Sequence, residues 1–289
     1  MKLGAHISTR MPFSEAITRA EEIGCECMQI FVNPPTRWNP VPISDVEIDK
    51  FVALNKKAKI NPIIIHGIYL INLASDNPFF YEASIKSLID EMQKAEKLGA
   101  YGVNFHVGST KGKDFSEVAK KVEDAIRKIL DSSPKGPYLI LENSAGAGNI
   151  IGDTLEELAR IINDVKSDRL RVLIDTAHAF ESGYNLKEEK GLEKFLEKFE
   201  KEIGLEKLVG FHFNDSMTKL DSKRDRHADI GTGEIGQELF KNILNHPKLK
   251  DKFGILETPE DKMSWKEQII LLKSMSSSKP TLAFEVEHH

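Results

Sequence analysis

Six side chains with metal-binding chemistry recur along this chain at nearly even spacing: His66, His106, Glu142, Asp175, His212 and Glu257. The successive intervals are 40, 36, 33, 37 and 45 residues. Each side chain closes a short apolar run. The runs read Ile63-Ile64-Ile65-His66, Val103-Asn104-Phe105-His106, Leu139-Ile140-Leu141-Glu142, Leu173-Ile174-Asp175, Gly210-Phe211-His212 and Gly254-Ile255-Leu256-Glu257. One histidine at the end of a buried strand is usually a satisfied polar group. Six consecutive runs that end in His, Asp or Glu need another account. Carboxylates brought to one place repel one another and are costly to desolvate, and a cation relieves both costs. Imidazole and carboxylate without cysteine favour zinc or another borderline divalent ion, with manganese the alternative. The donors outnumber one tetrahedral shell, so more than one ion is expected.

A further set is available. His178 follows Asp175 by three residues, and the segment Asp225-Arg226-His227 lies in a long loop. Alone, an Asp-x-His reads as a solvated loop; beside the other donors it suggests a His–Asp–His site. His6 closes the first apolar run, where lining a pocket and making a structural hydrogen bond are both open. Gly231-x-Gly233-x-x-Gly236 fits a dinucleotide fingerprint, but no clear strand precedes it, so that reading is set aside.

The elements that must position these donors alternate along the chain. Apolar runs cover residues 3–8, 25–32, 62–68, 102–107, 138–141, 171–175, 208–213 and 253–256. Amphipathic patterns predict helices over 13–23, 44–58 with Ser44 as N-cap, 78–98 ending at Gly99, and 115–130. Others are predicted over 154–165 behind an Asp153 cap, over 189–203 from Glu189, and over 265–275. Strands that read as continuous apolar runs are buried on both faces, the mark of a parallel sheet. Eight such units predict an α/β fold, a closed (β/α)8 barrel, with a doubly wound open sheet as the alternative. In a barrel all six donors emerge at the C-terminal rim, where this fold builds its sites. Two connections are longer than a barrel needs: residues 33–42, with four prolines, and residues 215–236.

The chain has 289 residues, 40% of them apolar, and a net charge of −5. No composition break divides it, so a single domain over 1–287 is expected, with His288-His289 as a possible purification-tag remnant. No apolar run reaches the ~18 residues of a membrane span. The first residues lack signal-peptide architecture, so a cytoplasmic protein without a membrane partner is expected. Cys25 and Cys27 would share one face of a strand and are read as reduced core thiols. The acidic balance argues against a nucleic-acid partner unless bound cations reverse it locally.

At these residues the chain resembles the endonuclease IV family of apurinic/apyrimidinic-site endonucleases. The likeness runs from Gly4-Ala5-His6-Ile7-Ser8 to Leu256-Glu257-Thr258-Pro259. It includes His66-Gly67-Ile68-Tyr69-Leu70-Ile71-Asn72-Leu73, Asn104-Phe105-His106-Val107-Gly108-Ser109 and Leu141-Glu142-Asn143-Ser144-Ala145-Gly146. Ile174-Asp175-Thr176-Ala177-His178, His212-Phe213-Asn214-Asp215 and Asp225-Arg226-His227 complete it. The resemblance implies a xylose-isomerase-like TIM barrel with three Zn2+ ions, Mn2+ being possible at some positions. One ion would take His66, His106 and Glu142. Glu142 would bridge to a second ion held also by Asp175, His212 and Glu257, and the third would take His178, Asp225 and His227. The implied partner is double-stranded DNA containing abasic sites, met by a monomer through Arg37, Tyr69 and Leu70. One departure concerns Arg37. It stands directly before Trp38, whereas the family usually places its arginine two residues before the tryptophan.

The implied reaction is hydrolysis of the phosphodiester 5′ to the abasic sugar, with Glu142 catalytic, leaving a 3′-hydroxyl and a 5′-deoxyribose phosphate. Divalent cations supply the nucleophile by lowering the pKa of water. Four acidic ligands and three Zn2+ sum to about +2, which answers the objection from net charge. Lys111, Lys113, Lys219, Lys223, Arg224 and Arg226 are candidate phosphate contacts. Two other readings remain. A single-metal sugar isomerase or epimerase of the same barrel type would use Glu142, Asp175, His212 and Glu257 alone. A non-catalytic binding module would hold abasic DNA without nicking it.

Overall fold

The computed structural model describes residues 1–188 and 190–276. The expected helix start at Glu189 and the His288-His289 pair lie outside the described residues. Strands β1 (Lys2–Ile7), β2 (Cys27–Ile30), β3 (Ile63–His66), β4 (Gly102–Phe105), β5 (Tyr138–Glu142), β6 (Leu170–Asp175) and β7 (Leu208–His212) follow one another along the chain. A two-residue ribbon, β8 (Asp215–Ser216) with β9 (His227–Ala228), precedes β10 (Phe253–Leu256). The closed order is β1-β10-β7-β6-β5-β4-β3-β2, and every pair is parallel. The expected eight-stranded barrel is therefore present, and the open-sheet alternative is not.

Alternation along each strand explains why the donors converge. Side chains of a strand point to opposite faces with a period of two. Residues two positions before the rim donors form a small apolar cluster that includes Ile64, Ile140 and Leu173, with Cys27, Phe253 and Ile255. The next side chains on that face are His66, Glu142 and Asp175, all buried. Apolar filling closes the barrel below, and the same face turns polar at the rim. Gly210 contributes to this packing by having no side chain: a Cβ there would lie 2.6 Å from the Phe253 ring. The residues between, such as Ile63, Ile65, Leu139, Leu141, Val172 and Ile174, belong to the larger outer core under the helices.

The helices are α1 (Ala16–Glu22), α2 (Asp45–Ala58), α3 (Pro78–Leu98), α4 (Phe115–Ser132) and α5 (Leu155–Val165). They are followed by α6 (Thr176–Glu181), α7 (Gly191–Glu202), α8 (Gln237–Asn245) and α9 (Trp265–Met275). Ser44 caps α2, accepting from the Glu47 N–H, as expected. At α5 the cap is Thr154 and not Asp153, because the Thr154 hydroxyl accepts from the Glu157 N–H. Two helices go beyond the sequence reading. Helix α6 is a short one started by Asp175 itself, and α8 buries Leu239, Phe240, Ile243 and Leu244 at helical spacing. Cys25 and Cys27 are both free and buried, but they do not share a face. Cys27 faces the barrel interior, whereas Cys25 precedes β2 and joins the outer core. Burial pushes the Cys25 thiol up to about 12, which keeps it protonated.

The glycine-rich turn after the ribbon is wrapped around a carboxylate. Asp215 is fully buried and accepts from the backbone N–H groups of Ser216, Gly231, Gly233, Ile235 and Gly236. Those N–H groups are satisfied internally, which excludes a phosphate cradle there. Asp215→Ala would strand them, and losing a buried charge-assisted network costs ~3–5 kcal/mol. Denaturant unfolding of the variant measures this, and a loss below about 1 kcal/mol would refute the keystone role of Asp215.

Candidate metal centre

Three groups of side chains offer ligand atoms that all lie within 4.8 Å of one another: His66, His106 and Glu142; Asp175, His178 and His227; and Glu142, Asp175, His212 and Glu257. Glu142 belongs to two groups and Asp175 to two, so the groups form one contiguous centre. Glu142 Oε2 lies 3.6 Å from His66 Nε2 and 3.8 Å from His106 Nε2. Its Oε1 lies 2.9 Å from His212 Nδ1. His227 Nε2 lies 3.6 Å from Asp175 Oδ2, and Asp225 closes that side at 3.4 Å from His178 Nε2 and 3.3 Å from His227 Nε2. Asp225 is more than half exposed, so it meets this group from the solvent side. All nine expected donors thus reach one place. The structure adds Asp175 to the His178–His227 pair.

The positions of these donors follow from local chemistry. Asp175 ends β6 and also caps α6, accepting from the His178 N–H at 3.0 Å. One carboxylate therefore fixes the start of the helix that carries His178. Asn214 Nδ2 donates to Asp175 Oδ2 at 2.6 Å, and Asn104 Nδ2 donates to Glu142 Oε2 at 2.5 Å. Asn214 Oδ1 accepts from the Glu257 N–H at 2.9 Å.

Hydrogen bonds to pure acceptors set the tautomers. His66 Nδ1 donates to the Gly67 carbonyl at 2.7 Å, and His178 Nδ1 donates to the Asn143 carbonyl at 3.1 Å. His227 Nδ1 donates to the Glu257 carbonyl at 3.3 Å. In the neutral rings each Nε2 is then a bare lone pair aimed inward. His212 is reversed. Its Nε2 donates to Gln29 Oε1 at 2.9 Å, which leaves Nδ1 between Glu142 Oε1 at 2.9 Å and Glu257 Oε2 at 3.1 Å.

These residues fit divalent cations. The Nε2 atoms of His178 and His227 face each other at 3.4 Å, an approach that a proton on His178 or a shared cation makes favourable. Tetrahedral zinc with bonds of ~2.0–2.1 Å sets its ligands about 3.3–3.4 Å apart. The 3.3, 3.4 and 3.6 Å separations around His178, His227, Asp225 and Asp175 lie close to that edge. Imidazoles held from behind by carbonyl oxygens are also the usual support of metal-ligating histidines.

The family model described as a xylose isomerase-like TIM barrel matches residues 17–275. A relative named "Probable endonuclease 4" from Halothermothrix orenii is 43% identical over 261 residues, covering 90% of this chain and 94% of its own. The crystal structure of endonuclease IV from Thermus thermophilus superposes with a TM-score of 0.85 at 33% identity, covering 95% of this chain and 98% of that one. The chain belongs to the endonuclease IV family. A D-tagatose 3-epimerase-like protein, at 22% identity and a TM-score of 0.71 over 95% of this chain and 97% of its own, shares the fold.

As an endonuclease IV family member the chain is an endonuclease, and its donor clusters mark it as metal-binding. Electrostatics divide the histidines. Burial lowers His6 and His106, and their neighbours do not make up the loss. Burial also opposes charge on His212, but Glu142, Glu257 and Asp175 outweigh it and hold this imidazole up at about 9. Asp175, Asp225 and Glu142 raise His178 well above its usual range against the same burial cost. Glu142 is held well below the carboxylate range: burial works against ionisation, and His212, His106 and His66 overcome it.

The centre opens on a cavity of about 1460 Å³ lined by His66, His106, His178, Asp225, His227 and Glu257 at one end. Tyr69, Leu70, Trp38 and Phe80 line its outer part. Arg37 is exposed but does not line the cavity. Of the six candidate phosphate contacts only Lys111 lines it. Lys113 pairs with Asp76 and Lys223 with Asp153, which occupies both ammonium groups. His6 lines the cavity and its Nδ1 lies 3.2 Å from Glu257 Oε1, so it meets both expectations.

Sequence reasoning assigned no role to Gln29, Asn104, Asn143, Asn214 or Glu91. Gln29 and Asn104 sit on the inward face of their strands, two residues after Cys27 and two before His106, where period-two alternation within each strand would have found them. Glu91, fully buried on α3, accepts from the Ile68 N–H at 3.3 Å and so holds the segment leading to Tyr69. Burial pushes its carboxyl up to about 8 from 4.5, partly offset by Asn33 and the Ile68 N–H. Folding takes up a proton between these values, so this contribution is complete below pH 4.5 and is lost as pH rises through about 8. Wild type is therefore expected to lose a few kcal/mol relative to Glu91→Gln across that window. Denaturant midpoints at several pH values test this, and parallel pH curves would refute it.

Proposed function

We propose that this chain is a zinc-dependent DNA repair endonuclease that hydrolyses the phosphodiester 5′ to abasic sites in double-stranded DNA, leaving a 3′-hydroxyl and a 5′-deoxyribose phosphate. The observation that carries this reading is the contiguous centre in which Glu142 and Asp175 are each shared between donor groups. A single-metal isomerase site uses Glu142, Asp175, His212 and Glu257 and has no use for His66, His106, His178, Asp225 and His227.

His66, His106 and Glu142 would hold one ion; Glu142, Asp175, His212 and Glu257 a second; and His178, His227 and Asp225, with Asp175 alongside, a third. Zinc suits these nitrogen and oxygen donors, with manganese possible at some positions. When bound, such cations lower the pKa of water and neutralise phosphate charge. The protein's own residues orient the reaction. Glu142 presents one oxygen to the His66–His106 side and the other to His212, which ties two halves of the centre to one rigid strand end. Asn104 and Gln29 keep Glu142 and His212 in these orientations.

Tyr69 is 61% exposed at the cavity mouth beside Leu70, where it can occupy the space of a missing base. An abasic nucleotide costs little to extrude because it has no base to unstack. Base excision repair in the cytoplasm by a monomer is the corresponding cellular role. Among the described residues no helix is long and apolar enough to cross a membrane.

The test is incubation with a duplex carrying one abasic analogue, before and after thorough chelation. Metal-dependent incision on the 5′ side with a 3′-hydroxyl product supports the reading. Undiminished activity in metal-free protein, incision 3′ to the lesion, or a single tightly bound ion per chain would reject it.

A further inference from the structure

The two loops at the cavity mouth share one anchor. Residues 33–42 and the segment 67–73 are joined directly by the Tyr69 N–H donating to the Pro35 carbonyl at 2.8 Å. Both are also fixed to α3. Ser84 Oγ accepts from the Asn72 N–H at 2.9 Å, and Glu91 holds the Ile68 N–H. The first loop is held by a closed ring of three side chains. Asn33 Nδ2 donates to Asp90 Oδ2 at 2.9 Å, Lys94 Nζ donates to Asn33 Oδ1 at 2.6 Å, and Lys94 Nζ donates to Asp90 Oδ2 at 2.8 Å.

Asn33 Oδ1 also accepts from the Val41 N–H at 3.1 Å. That bond crosses the neck of the loop, so Arg37 and Trp38 stand at its tip. Trp38 stacks on Phe80 of α3, with ring centroids 6.1 Å apart. Asn33 is buried, and every residue from 34 to 42 is partly or fully exposed. Of residues 34–42 only Trp38 packs against the barrel core, so the rest of the loop is ordered chiefly by these few polar bonds.

We propose that Asn33, Asp90 and Lys94 are positioning residues that latch the 33–42 loop to α3, so that its tip and the Tyr69–Leu70 segment meet DNA as one rigid surface. The link to DNA rests on the function proposed above. The latch itself rests on the hydrogen-bond ring and the closed neck. A loop ordered before binding loses less entropy on binding, so its loss weakens substrate affinity and spares the chemistry at Glu142.

The experiment uses metal-loaded Asn33→Ala, Lys94→Met and Lys94→Arg proteins. The first two are expected to raise KM for an abasic duplex about tenfold, with kcat and bound metal close to wild type. Lys94→Arg keeps a cation that can donate to both partners and should restore KM. Trypsin cleavage after exposed Arg37 supplies a readout independent of DNA. It should be about tenfold faster in Asn33→Ala and Lys94→Met than in wild type or Lys94→Arg. Unchanged KM with unchanged cleavage overturns the latch. Matched falls in kcat, metal content and Tm also overturn it, because they would show a general structural role. A wild-type protein that fails to incise abasic DNA rejects the proposed function, and the cleavage rates then decide the latch alone.

Discussion

Glu142→Gln is expected to lower incision of an abasic duplex by about 10³-fold or more, the scale of losing a preorganised electrostatic contact in a water-excluded site. The side chain is isosteric, so the barrel should fold as before. What changes is charge. Glu142 is fully buried and presents its two oxygens to His66 and His106 on one side and to His212 on the other. A neutral amide would offer one oxygen and turn an N–H group toward the remaining donors. Elemental analysis should show fewer ions per chain, and single-turnover nicking should fall with them. Nicking at the wild-type rate would remove Glu142 from the mechanism. Full metal content with abolished nicking would assign it a role beyond ligation.

Metal removal should produce the second large effect, and it is readable without substrate. A ligand that binds only the folded chain adds roughly 2.7 kcal/mol per site at a free concentration of 100 Kd, so three sites give roughly 8 kcal/mol. Stripped protein should therefore melt far below reloaded protein. The deficit should grow with pH. In the metal-free chain the His212 imidazolium, held up at about 9 from 6.5, stands between Glu142 and Glu257 in place of a cation. Its folded pKa lies above its unfolded one, so its stabilisation is complete below pH 6.5 and is lost as pH rises through about 9. Over the same window metal affinity should rise, because the cation no longer displaces that proton. Thermal melts of stripped and reloaded protein at pH 6.5, 8 and 9 would show both trends. Equal Tm with and without metal would contradict a metal-stabilised centre.

The resemblance divides nine residues into three ligand sets joined by Glu142. The geometry adds a second join at Asp175, whose Oδ2 lies 3.6 Å from His227 Nε2 and 3.9 Å from His212 Nδ1. Asp175 also starts α6 and so places His178. A change at Asp175 should therefore disturb two of the three proposed sites, whereas a change at exposed Asp225 should disturb one.

The barrel and its donors were legible in the chain because both depend on regular periods. One strand–helix unit spans roughly the interval between successive rim donors. Within a strand, period-two alternation puts Ile64 and His66, Ile140 and Glu142, and Leu173 and Asp175 on one inward face. No tertiary information is needed for either inference. Helix α8 was also encoded, in Leu239, Phe240, Ile243 and Leu244, but the glycine-rich turn before it obscured the pattern.

Other features arise only when distant segments meet. Gln29 supports His212 across 183 positions of sequence, and Asn214 reaches Asp175 across 39. Which ring nitrogen of each histidine faces inward depends on a carbonyl or amide supplied by a neighbouring segment. The 33–42 loop could be recognised as long and proline-rich, yet its order comes from Asp90 and Lys94, which lie 57 and 61 positions beyond Asn33 on a helix. Spacing along the chain specifies which residues share a face. Hydrogen-bond partners depend on the distances between strands and helices after the barrel has closed, and those distances exist only in the folded chain.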